Sequence, residues 1–377
     1  MPIAVVNRLY FNSPTQDSQT PPADGLGAAL DATVNIVNGS SPSGQANART
    51  AEAVATAFGA FAGGPAEISH GEQIPALSDN AAAVIGPSGT LTAWTGSQTF
   101  TGTQSISDRS ISGVVEIAAG ANITFTNCRF TGTLGATTYT IKCLSDGGGA
   151  RVTLLDCEVI TRATASKTPR CVTVWGTNNV RAERTIFRGG IDCIFHNPSN
   201  SPGLFATGDP LVPMARGWFV NCWFGDYQRV GTSHSDAFQC DGGGYLLVDA
   251  CRIMAYNVPE GSDPLTERIT DPFDCELGGG GMLLTQDSGK PVQISNVAVR
   301  RSWLEGGNYT ADLAPSDGLP VRDTSVTDCR FGRRTRYGPL RTNGENRRNT
   351  WGQSGQTGPD LNGAVVTAGQ LIPGSTA

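Results

Sequence analysis

One short phrase recurs along most of the chain, and it constrains the fold more than any other feature. The phrase consists of three or four strand-like residues, then Asn or Asp, then Cys, then an alternating run. Cys157 follows Cys128 by 29 residues, and Cys251 follows Cys222 by the same 29. Self-similarity at a fixed period in the range of about 20–50 residues is typical of a solenoid or repeat array. The copies are ITFTNCRF (123–130), VTLLDCEV (152–159), GWFVNCWF (217–224), LLVDACRI (246–253) and TSVTDCRF (324–331), with degenerate copies VRAERTIF (180–187) and VAVRRSWL (297–304).

The composition favours a solenoid made of β-strands. The chain of 377 residues holds 48 Gly and only 16% charged residues, which is unlike the composition of a coiled coil. Short β runs separated by Gly and Asn fill each period, with no helical stretch between them. We therefore predict an all-β parallel β-helix with about three strands per coil and coils stacked at the strand spacing of ~4.8 Å. Glycine runs such as DGGG (241–244) and GGGG (278–281) are expected at coil corners.

All ten Cys fall between residues 128 and 329, and five of them share one position of the repeat. Thr185 and Ser302 take the same position in the degenerate copies. Stacked inward positions favour a ladder of buried thiols that act as small hydrophobes, and disulfides are the alternative. Zinc is not expected, because the chain has no CxxC pair and only three His. No metal or other cofactor is predicted.

The composition divides the chain into three parts. Residues 1–105 are rich in Ala, Gly, Ser, Thr and Pro, and Asn47–Ala62 has the apolar spacing of a helix. We predict a partly helical N-terminal segment for attachment or oligomerisation (1–105), a β-helix (106–350) and a low-complexity tail (351–377). The tail is expected to be disordered or to run as an extended strap along a neighbour.

Charge and hydropathy exclude some partners. The formal net charge is −6, so no basic field recruits nucleic acid. No stretch approaches the ~20 apolar residues of a membrane helix, so membrane insertion is not expected. The first residues lack a basic region followed by an apolar core, so no signal peptide is predicted.

The repeat style of residues 106–350 resembles the right-handed parallel β-helix proteins of the pectate-lyase-like superfamily. That superfamily includes pectate lyases, polygalacturonases, alginate epimerases and bacteriophage tailspikes. With an Ala-rich front segment and no export signal, the chain looks most like a phage virion protein of the tailspike or fibre kind. The resemblance implies recognition of a bacterial surface polysaccharide, attachment to a virion through the N-terminal segment, and a homotrimer. Secretion by a bacterium is the alternative localisation.

Three segments carry candidate chemistry. GGIDCIFHN (189–197) holds Asp192, GTSHSDAFQCDGG (231–243) holds His234 and Asp236, and FDCELGGGG (273–281) holds Asp274 and Glu276. If the first two are equivalent strands of adjacent coils, Asp192 and Asp236 stack one coil apart. Paired carboxylates with a nearby His suit acid–base cleavage of a glycosidic bond, since close like charges raise one pKa. Asp192, His234 and Asp236 are therefore the predicted catalytic group.

The same segments resemble polygalacturonase motifs. GGIDCIF is similar to the family's Gly-Asp-Asp-Cys stretch, with Ile191 in place of its first Asp, and SHSDAFQ is similar to its Asn-Thr-Asp-Gly segment. The family's Gly-His-Gly and Arg-x-Lys motifs are not found. The resemblance implies a polysaccharide-cleaving activity, either hydrolase or lyase, as the alternative to recognition alone.

A binding groove is the further expectation for these segments. We predict that His196 and Asp241 bond sugar hydroxyls while Trp175, Trp223 or Tyr227 stack on sugar rings. Loops at 198–216 and 255–277 break the 29-residue rhythm and are expected to leave the coil. The Arg-rich run 329–349 either binds an acidic polysaccharide or pairs with acidic residues. A structural role remains open for the candidate residues, as does a purely structural fibre or spike protein.

Overall fold

The computed structural model describes most of the chain from residue 85 to residue 377. The described residues are 85–134, 139–143, 149–163, 170–175, 178–197, 216–231, 233–241, 243–269, 275–284, 294–314, 322–357, 361 and 363–377. Every regular element named within them is a β-strand, and they contain no helix long and apolar enough to cross a membrane. The predicted helix at Asn47–Ala62 lies outside the described residues.

Three long parallel sheets contain almost all of the strands, numbered β1–β31 in chain order. Sheet 1 consists of β1 (Thr92–Ala93), β4 (Arg109–Ser112), β7 (Arg129–Thr131), β10 (Glu158–Thr161), β13 (Ile186–Gly189), β16 (Trp223–Gly225), β19 (Arg252–Asn257), β23 (Trp303–Gly306), β26 (Arg330–Phe331) and β29 (Thr350–Trp351). Sheet 2 consists of β2 (Thr99–Phe100), β5 (Val115–Ile117), β8 (Tyr139–Cys143), β11 (Arg170–Trp175), β14 (Asp192–Asn197), β17 (Asp236–Cys240), β21 (Gly280–Leu284), β24 (Tyr309–Leu313) and β27 (Gly338–Thr342). Sheet 3 consists of β3 (Thr103–Ser107), β6 (Asn122–Thr126), β9 (Arg151–Leu155), β12 (Asn179–Glu183), β15 (Arg216–Val220), β18 (Gly243–Asp249), β22 (Ile294–Arg300), β25 (Arg322–Thr327) and β28 (Glu345–Arg347).

Successive strands of the chain visit the three sheets in turn, and each strand pairs in parallel with its equivalent in the next coil. β6 and β9, for example, pair residue by residue from Asn122 with Arg151 to Thr126 with Leu155. One coil therefore contains three strands, and this stacking confirms the predicted all-β parallel β-helix. Parallel stacking begins at β1, earlier than residue 106.

The corner between sheets 3 and 1 explains the recurring phrase, and we call it the left-handed corner. Its defining residue has φ between 47° and 57° in nine successive coils. Asn and Asp tolerate this conformation better than most residues, which accounts for the residue type that precedes Cys in the phrase. The defining residues are Asp108, Asn127, Asp156, Arg184, Asn221, Ala250, Arg301, Asp328 and Arg348.

The residue after each of these positions, from the second coil onward, points into the core and forms a ladder. Cys128, Cys157, Cys222, Cys251 and Cys329 are almost completely buried. Thr185 and Ser302 occupy the same ladder, as predicted. No disulfide joins any of the ten Cys, and all except the partly exposed Cys275 are buried. The thiol ladder is therefore confirmed, and it contains no disulfide.

The corner between sheets 1 and 2 is irregular, and we call it the glycine corner. It contains Gly189–Gly190, Gly278–Gly279 and Gly306–Gly307 in different coils. At Gly189, φ is +76° and a Cβ would lie 2.0 Å from the carbonyl oxygen of Thr161. Only glycine fits such an approach, because any side chain would push two coils apart. The prediction of glycine runs at coil corners holds here.

Two segments outside the three sheets cover the solenoid. Residues 258–269 leave the coil after β19, as the broken rhythm predicted, and fold back on the outer face of sheet 1. There Arg188 donates to the carbonyl oxygen of Pro264, and Arg162 pairs with Asp263. The short strand β20 (Glu276–Leu277) then pairs antiparallel with β19.

The tail after Trp351 packs on its own last coil. Val366 and Ile372 are 7% and 2% exposed and join the core cluster of Trp351. The amide of Ile372 donates to the carbonyl oxygen of Asn349 at 3.0 Å, and β30 (Gly355–Gln356) pairs antiparallel with β31 (Val365–Val366). The described tail is thus a cap on the final coil, and it is neither of the two arrangements expected from its composition.

Candidate active site at the glycine corner

The predicted catalytic residues come together where strands β14 and β17 begin. Asp192 and Asp236 occupy the same register in adjacent coils, which confirms the predicted stacking. The same column contains Arg170 on one side and Gly280 on the other. Four successive coils thus contribute Arg, Asp, Asp and Gly at one position of sheet 2, next to the glycine corner.

Asp192 is held by a charged neighbour. Its side chain is completely buried, and its Oδ2 accepts a hydrogen bond from Nε of Arg170 at 2.7 Å. The Arg170 side chain is 24% exposed, and its guanidinium carbon lies 3.8 Å from the centre of the Phe195 ring. Arg170 therefore links the buried carboxylate to the surface.

His234 is the part of the cluster that reaches solvent. Its Nδ1 lies 2.7 Å from Oδ2 of Asp236, and the His234 side chain is 54% exposed while that of Asp236 is 1% exposed. A carboxylate can only accept a hydrogen bond, so Nδ1 donates and Nε2 is the remaining ring nitrogen. Because both carboxylates are buried, a substrate in solvent can contact only His234 among the three predicted residues.

The cluster shifts the pKa values of all three groups. Burial, followed by the charge of Asp236, raises the pKa of Asp192 to about 7. Burial also raises the pKa of Asp236, although the hydrogen bond from His234 opposes this. The hydrogen bond to Asp236 raises the pKa of His234 above its ordinary value. The shifts favour the protonated forms of Asp192 and His234, while the hydrogen bond and the charge of His234 favour the ionised form of Asp236.

Two carboxylate oxygens of the pair are buried without a hydrogen bond from any described residue. These are Oδ1 of Asp192 and Oδ1 of Asp236. An unsatisfied buried acceptor costs about 1–3 kcal/mol or more when charged. Groups that perturb each other in this way, beside an exposed His, are the pattern expected of a functional site.

The glycines of the next coil enclose the Asp236 side of the cluster. A Cβ at Gly279 would lie 2.7 Å from Cβ of His234 and 2.9 Å from Oδ1 of Asp236. A Cβ at Gly280 would lie 3.1 Å from the same oxygen. The GGGG run therefore lets the backbone lie close to His234 and Asp236. A side chain at Gly279 would displace these two residues.

The predicted glycan-binding residues do not gather around this site. His196 and Asp241 are each only 8% exposed, and Nδ1 of His196 lies 3.4 Å from Sγ of Cys240. His196 faces the interior, where it lines a cavity of about 40 Å³ together with Phe219. The side chains of His196 and Asp241, which were predicted to bond sugar hydroxyls, are therefore almost inaccessible to solvent.

The predicted stacking rings are also enclosed. Trp223 is 4% exposed and Tyr227 is completely buried. Trp223 packs against Met254 and Tyr256 on the outer face of sheet 1, and Tyr227 belongs to the main core. Neither ring offers a face to a ligand in solvent. The side chain of Trp175 lies outside the described residues.

The remaining charged candidates make ion pairs within the chain. Glu276 is exposed and pairs with Arg229, while Asp274 lies outside the described residues. In the Arg-rich run, Arg341 pairs with Asp312 and Arg348 pairs with Asp328. These contacts agree with the second of the two roles considered for that run, in which it pairs with acidic residues.

Sequence reasoning missed Arg170, Gly279 and Gly280 as parts of the cluster. The Asp192 and Asp236 segments could be aligned because both place Asp before a short apolar run. Arg170 stands 22 residues before Asp192, off the 29-residue rhythm, so the repeat gave no signal for it.

The described residues contain no group of three or more His, Cys, Asp or Glu that could hold a metal ion. Comparisons with protein-family models, with curated proteins and with solved structures give no match to this chain. The functional interpretation therefore depends on the site itself.

Proposed function

We propose that this protein recognises a bacterial surface polysaccharide on the outside of its β-helix and cleaves it by proton transfer at His234. The single observation that carries the proposal is the exposed His234, held at 2.7 Å by a carboxylate that is itself buried against a second carboxylate. An oriented His with a raised pKa is a general acid, and a positioned acid or base contributes about 10²–10⁴-fold to a rate.

The proposed reaction is hydrolysis of a glycosidic bond. Nε2 of the His234 imidazolium donates its proton to the leaving glycosidic oxygen as the bond from that oxygen to the anomeric carbon breaks. Water then adds to the anomeric carbon and returns a proton to Nε2, so the net change is addition of one water molecule. Asp236 orients the imidazole through Nδ1 and stabilises its charge. Asp192 acts through Asp236, because it has no solvent contact.

The fold suits a polymeric substrate. A solenoid stacks equivalent positions at ~4.8 Å, so its outer side offers a long row of similar surfaces to an extended chain. The setting on a virion, attached through residues 1–105 as a homotrimer, is proposed from the resemblance of the repeat to tailspike proteins. Sedimentation velocity of the full chain tests the trimer.

The activity is tested with an array of purified bacterial capsular and O-antigen polysaccharides. The full chain is incubated with each glycan, and new reducing ends and unsaturated uronate absorbance are measured together with retention of the protein. His234→Gln is the test variant, and Glu260→Gln, at an exposed position in the 258–269 segment, is the control. We expect reducing ends with wild type and Glu260→Gln and almost none with His234→Gln.

The other outcomes separate the alternatives. Unsaturated uronate in place of simple reducing ends indicates a lyase and overturns hydrolysis. Retention without any cleavage overturns the enzymatic proposal and leaves recognition. A protein that neither binds nor cleaves any glycan of the array contradicts the proposed function and leaves a structural fibre or spike protein.

A further inference from the structure

A row of backbone positions at the glycine corner runs along the helix axis from the candidate site. The amide of Gly279 donates to the carbonyl oxygen of Ser235, the amide of Asn308 to that of Gly279, and the amide of Tyr337 to that of Asn308, each at 2.7 Å. Ser235, which follows His234, thus begins a row that continues through Gly279 and Asn308 to Tyr337. At ~4.8 Å per coil, the row spans about 14 Å.

The two middle positions of this row carry no large side chain. Gly279 has no side chain, and none can be accommodated there beside His234 and Asp236. Asn308 has a short side chain, and its Oδ1 is buried. The row therefore has an exposed imidazole at one end, a middle without large side chains, and an exposed aromatic side chain at the other end.

The aromatic end is fixed in place. Tyr337 is 54% exposed, and its ring centre lies 5.8 Å from that of Tyr309. A Cβ at Gly338 would lie 3.3 Å from Cε1 of Tyr309, so the Tyr309 ring lies close against that residue. The guanidinium of Arg341 lies 5.0 Å from the centre of the Tyr309 ring and is itself paired with Asp312. Tyr309 supports Tyr337, and Tyr337 presents its ring to solvent.

We propose that Tyr337 is a stacking platform for a sugar ring, and that a bound polysaccharide lies parallel to the helix axis from Tyr337 across Asn308 and Gly279 to His234. A Tyr ring covers the apolar face of a sugar at a low cost in side-chain entropy, while its hydroxyl can bond a sugar hydroxyl. The proposal rests on the proposed function, because it assigns the orientation and a distal subsite to the same substrate.

The length of the row makes the proposal specific. A segment bound only near His234 does not reach Tyr337, whereas a segment of several sugar units spans both ends. Loss of the Tyr337 ring should therefore weaken long oligosaccharides and leave short ones unchanged. It should act on KM and leave kcat on the longest substrate unaltered, since Tyr337 is remote from the reacting bond.

The test uses an oligosaccharide ladder made by partial acid hydrolysis of the array polysaccharide that the wild-type chain retains or cleaves. Tyr337→Ala is compared with Tyr337→Phe, which keeps the ring, and with Leu134→Ala, which removes an exposed apolar side chain on a distant coil. For long members, we expect KM, or Kd if no cleavage occurs, to rise about five- to tenfold in Tyr337→Ala. Tyr337→Phe and Leu134→Ala should stay within about twofold of wild type on the same scale.

Each other result overturns a distinct claim. Equal KM or Kd for wild type and Tyr337→Ala on long members overturns the subsite while the proposed function stands. An equal loss on the shortest and longest members overturns the axial orientation. A wild-type chain that neither retains nor cleaves any glycan overturns the proposed function, and the subsite is rejected with it.

Discussion

The left-handed corner and the glycine corner follow opposite rules. At the left-handed corner, one conformation repeats in nine coils, and several of its charged residues form ion pairs with each other, as in Arg184 with Asp156 and Arg348 with Asp328. At the glycine corner, coils differ in length and conformation, and two buried carboxylate oxygens accept no hydrogen bond from the described residues.

The residues that stabilise the solenoid therefore lie at the left-handed corner, and the groups available for chemistry lie at the glycine corner. A sequence specifies a fold where local conformation, packing and polar satisfaction agree, and departures from this agreement are expected at functional sites. His234, Asp236 and Asp192 lie where the repeat is broken, and the ladder of thiols lies where it is kept. Substitutions at the two corners should therefore have different consequences.

The largest effect is expected on activity at the glycine corner. His234→Ala removes the proton donor, so the rate of glycan cleavage should fall by about 10²–10⁴-fold. Because His234→Ala also leaves Oδ2 of the buried Asp236 without its hydrogen bond, the free energy of unfolding should fall by about 1–3 kcal/mol. Cleavage rates and urea unfolding check the two claims. Retention of more than a tenth of the wild-type rate would show that His234 does not transfer the proton.

The next effect concerns the pH dependence of stability. The pKa of Asp192 is about 7 in the folded chain, above the ~3.9 of an unfolded Asp. Folding therefore favours the protonated form, and this stabilisation is complete at low pH and lost as pH rises from about 4 through 7. Asp192→Asn, which stays neutral, should lose less stability than wild type between pH 4 and 8, by up to about 4 kcal/mol.

Urea unfolding at several pH values measures this difference. The control at the left-handed corner is Asp156→Asn, where the carboxylate is 36% exposed and pairs with Arg184. Its cost should be about 1 kcal/mol or less, as for other surface ion pairs. Parallel stability profiles for wild type and Asp192→Asn would contradict the raised pKa of Asp192.

A smaller effect is expected from the backbone of the left-handed corner. Ala250 has φ +51° without a side chain that compensates for it. Ala250→Gly should stabilise the chain by about 1 kcal/mol, and Ala250→Val should destabilise it by more than that. Ala182, buried in β12, is the matched control, since Ala182→Gly should cost about 0.5–1 kcal/mol. Thermal unfolding ranks the variants. A loss of stability in Ala250→Gly would contradict the left-handed conformation of Ala250.

The smallest effect is a difference in thiol reactivity. A thiol reagent added to the native chain should label Cys275 quickly and the nine buried thiols slowly. In denaturant without reductant, all ten should react, since none is in a disulfide. Fewer than ten reactive thiols in denaturant would contradict the ladder of free Cys.

The repeat predicted the regular part of the fold because one residue pattern marks one backbone event. Asn or Asp before Cys coincides with the left-handed residue and the inward position, so Thr185 and Ser302 could be placed as well. The stacking of Asp192 on Asp236 was predictable from a separate local similarity, since both segments place Asp before a short apolar run and both begin equivalent strands of sheet 2. Local sequence patterns therefore predicted the stacked coils and the pairing of Asp192 with Asp236.

The surroundings of the site could not be predicted in this way. Trp223 lies on the outer face of sheet 1, apart from the core that holds Phe224, yet it is buried with Met254 and Tyr256. The packing of residues 258–269 on that face depends on contacts far apart in sequence, which a 29-residue period does not encode. The burial of both carboxylates, which leaves His234 as the reachable group, likewise depends on Arg170 and Gly279 in other coils.

The most direct test of the central claim is the pKa of His234, measured by NMR titration of the imidazole signals. The chain has three His, so His234→Gln assigns the signal. The hydrogen bond to Asp236 predicts a pKa above the ordinary value of about 6.5 for wild type, and a lower value in Asp236→Asn. A His234 that titrates at or below that ordinary value, and does not respond to Asp236→Asn, would contradict an acid–base group held by the buried carboxylate pair.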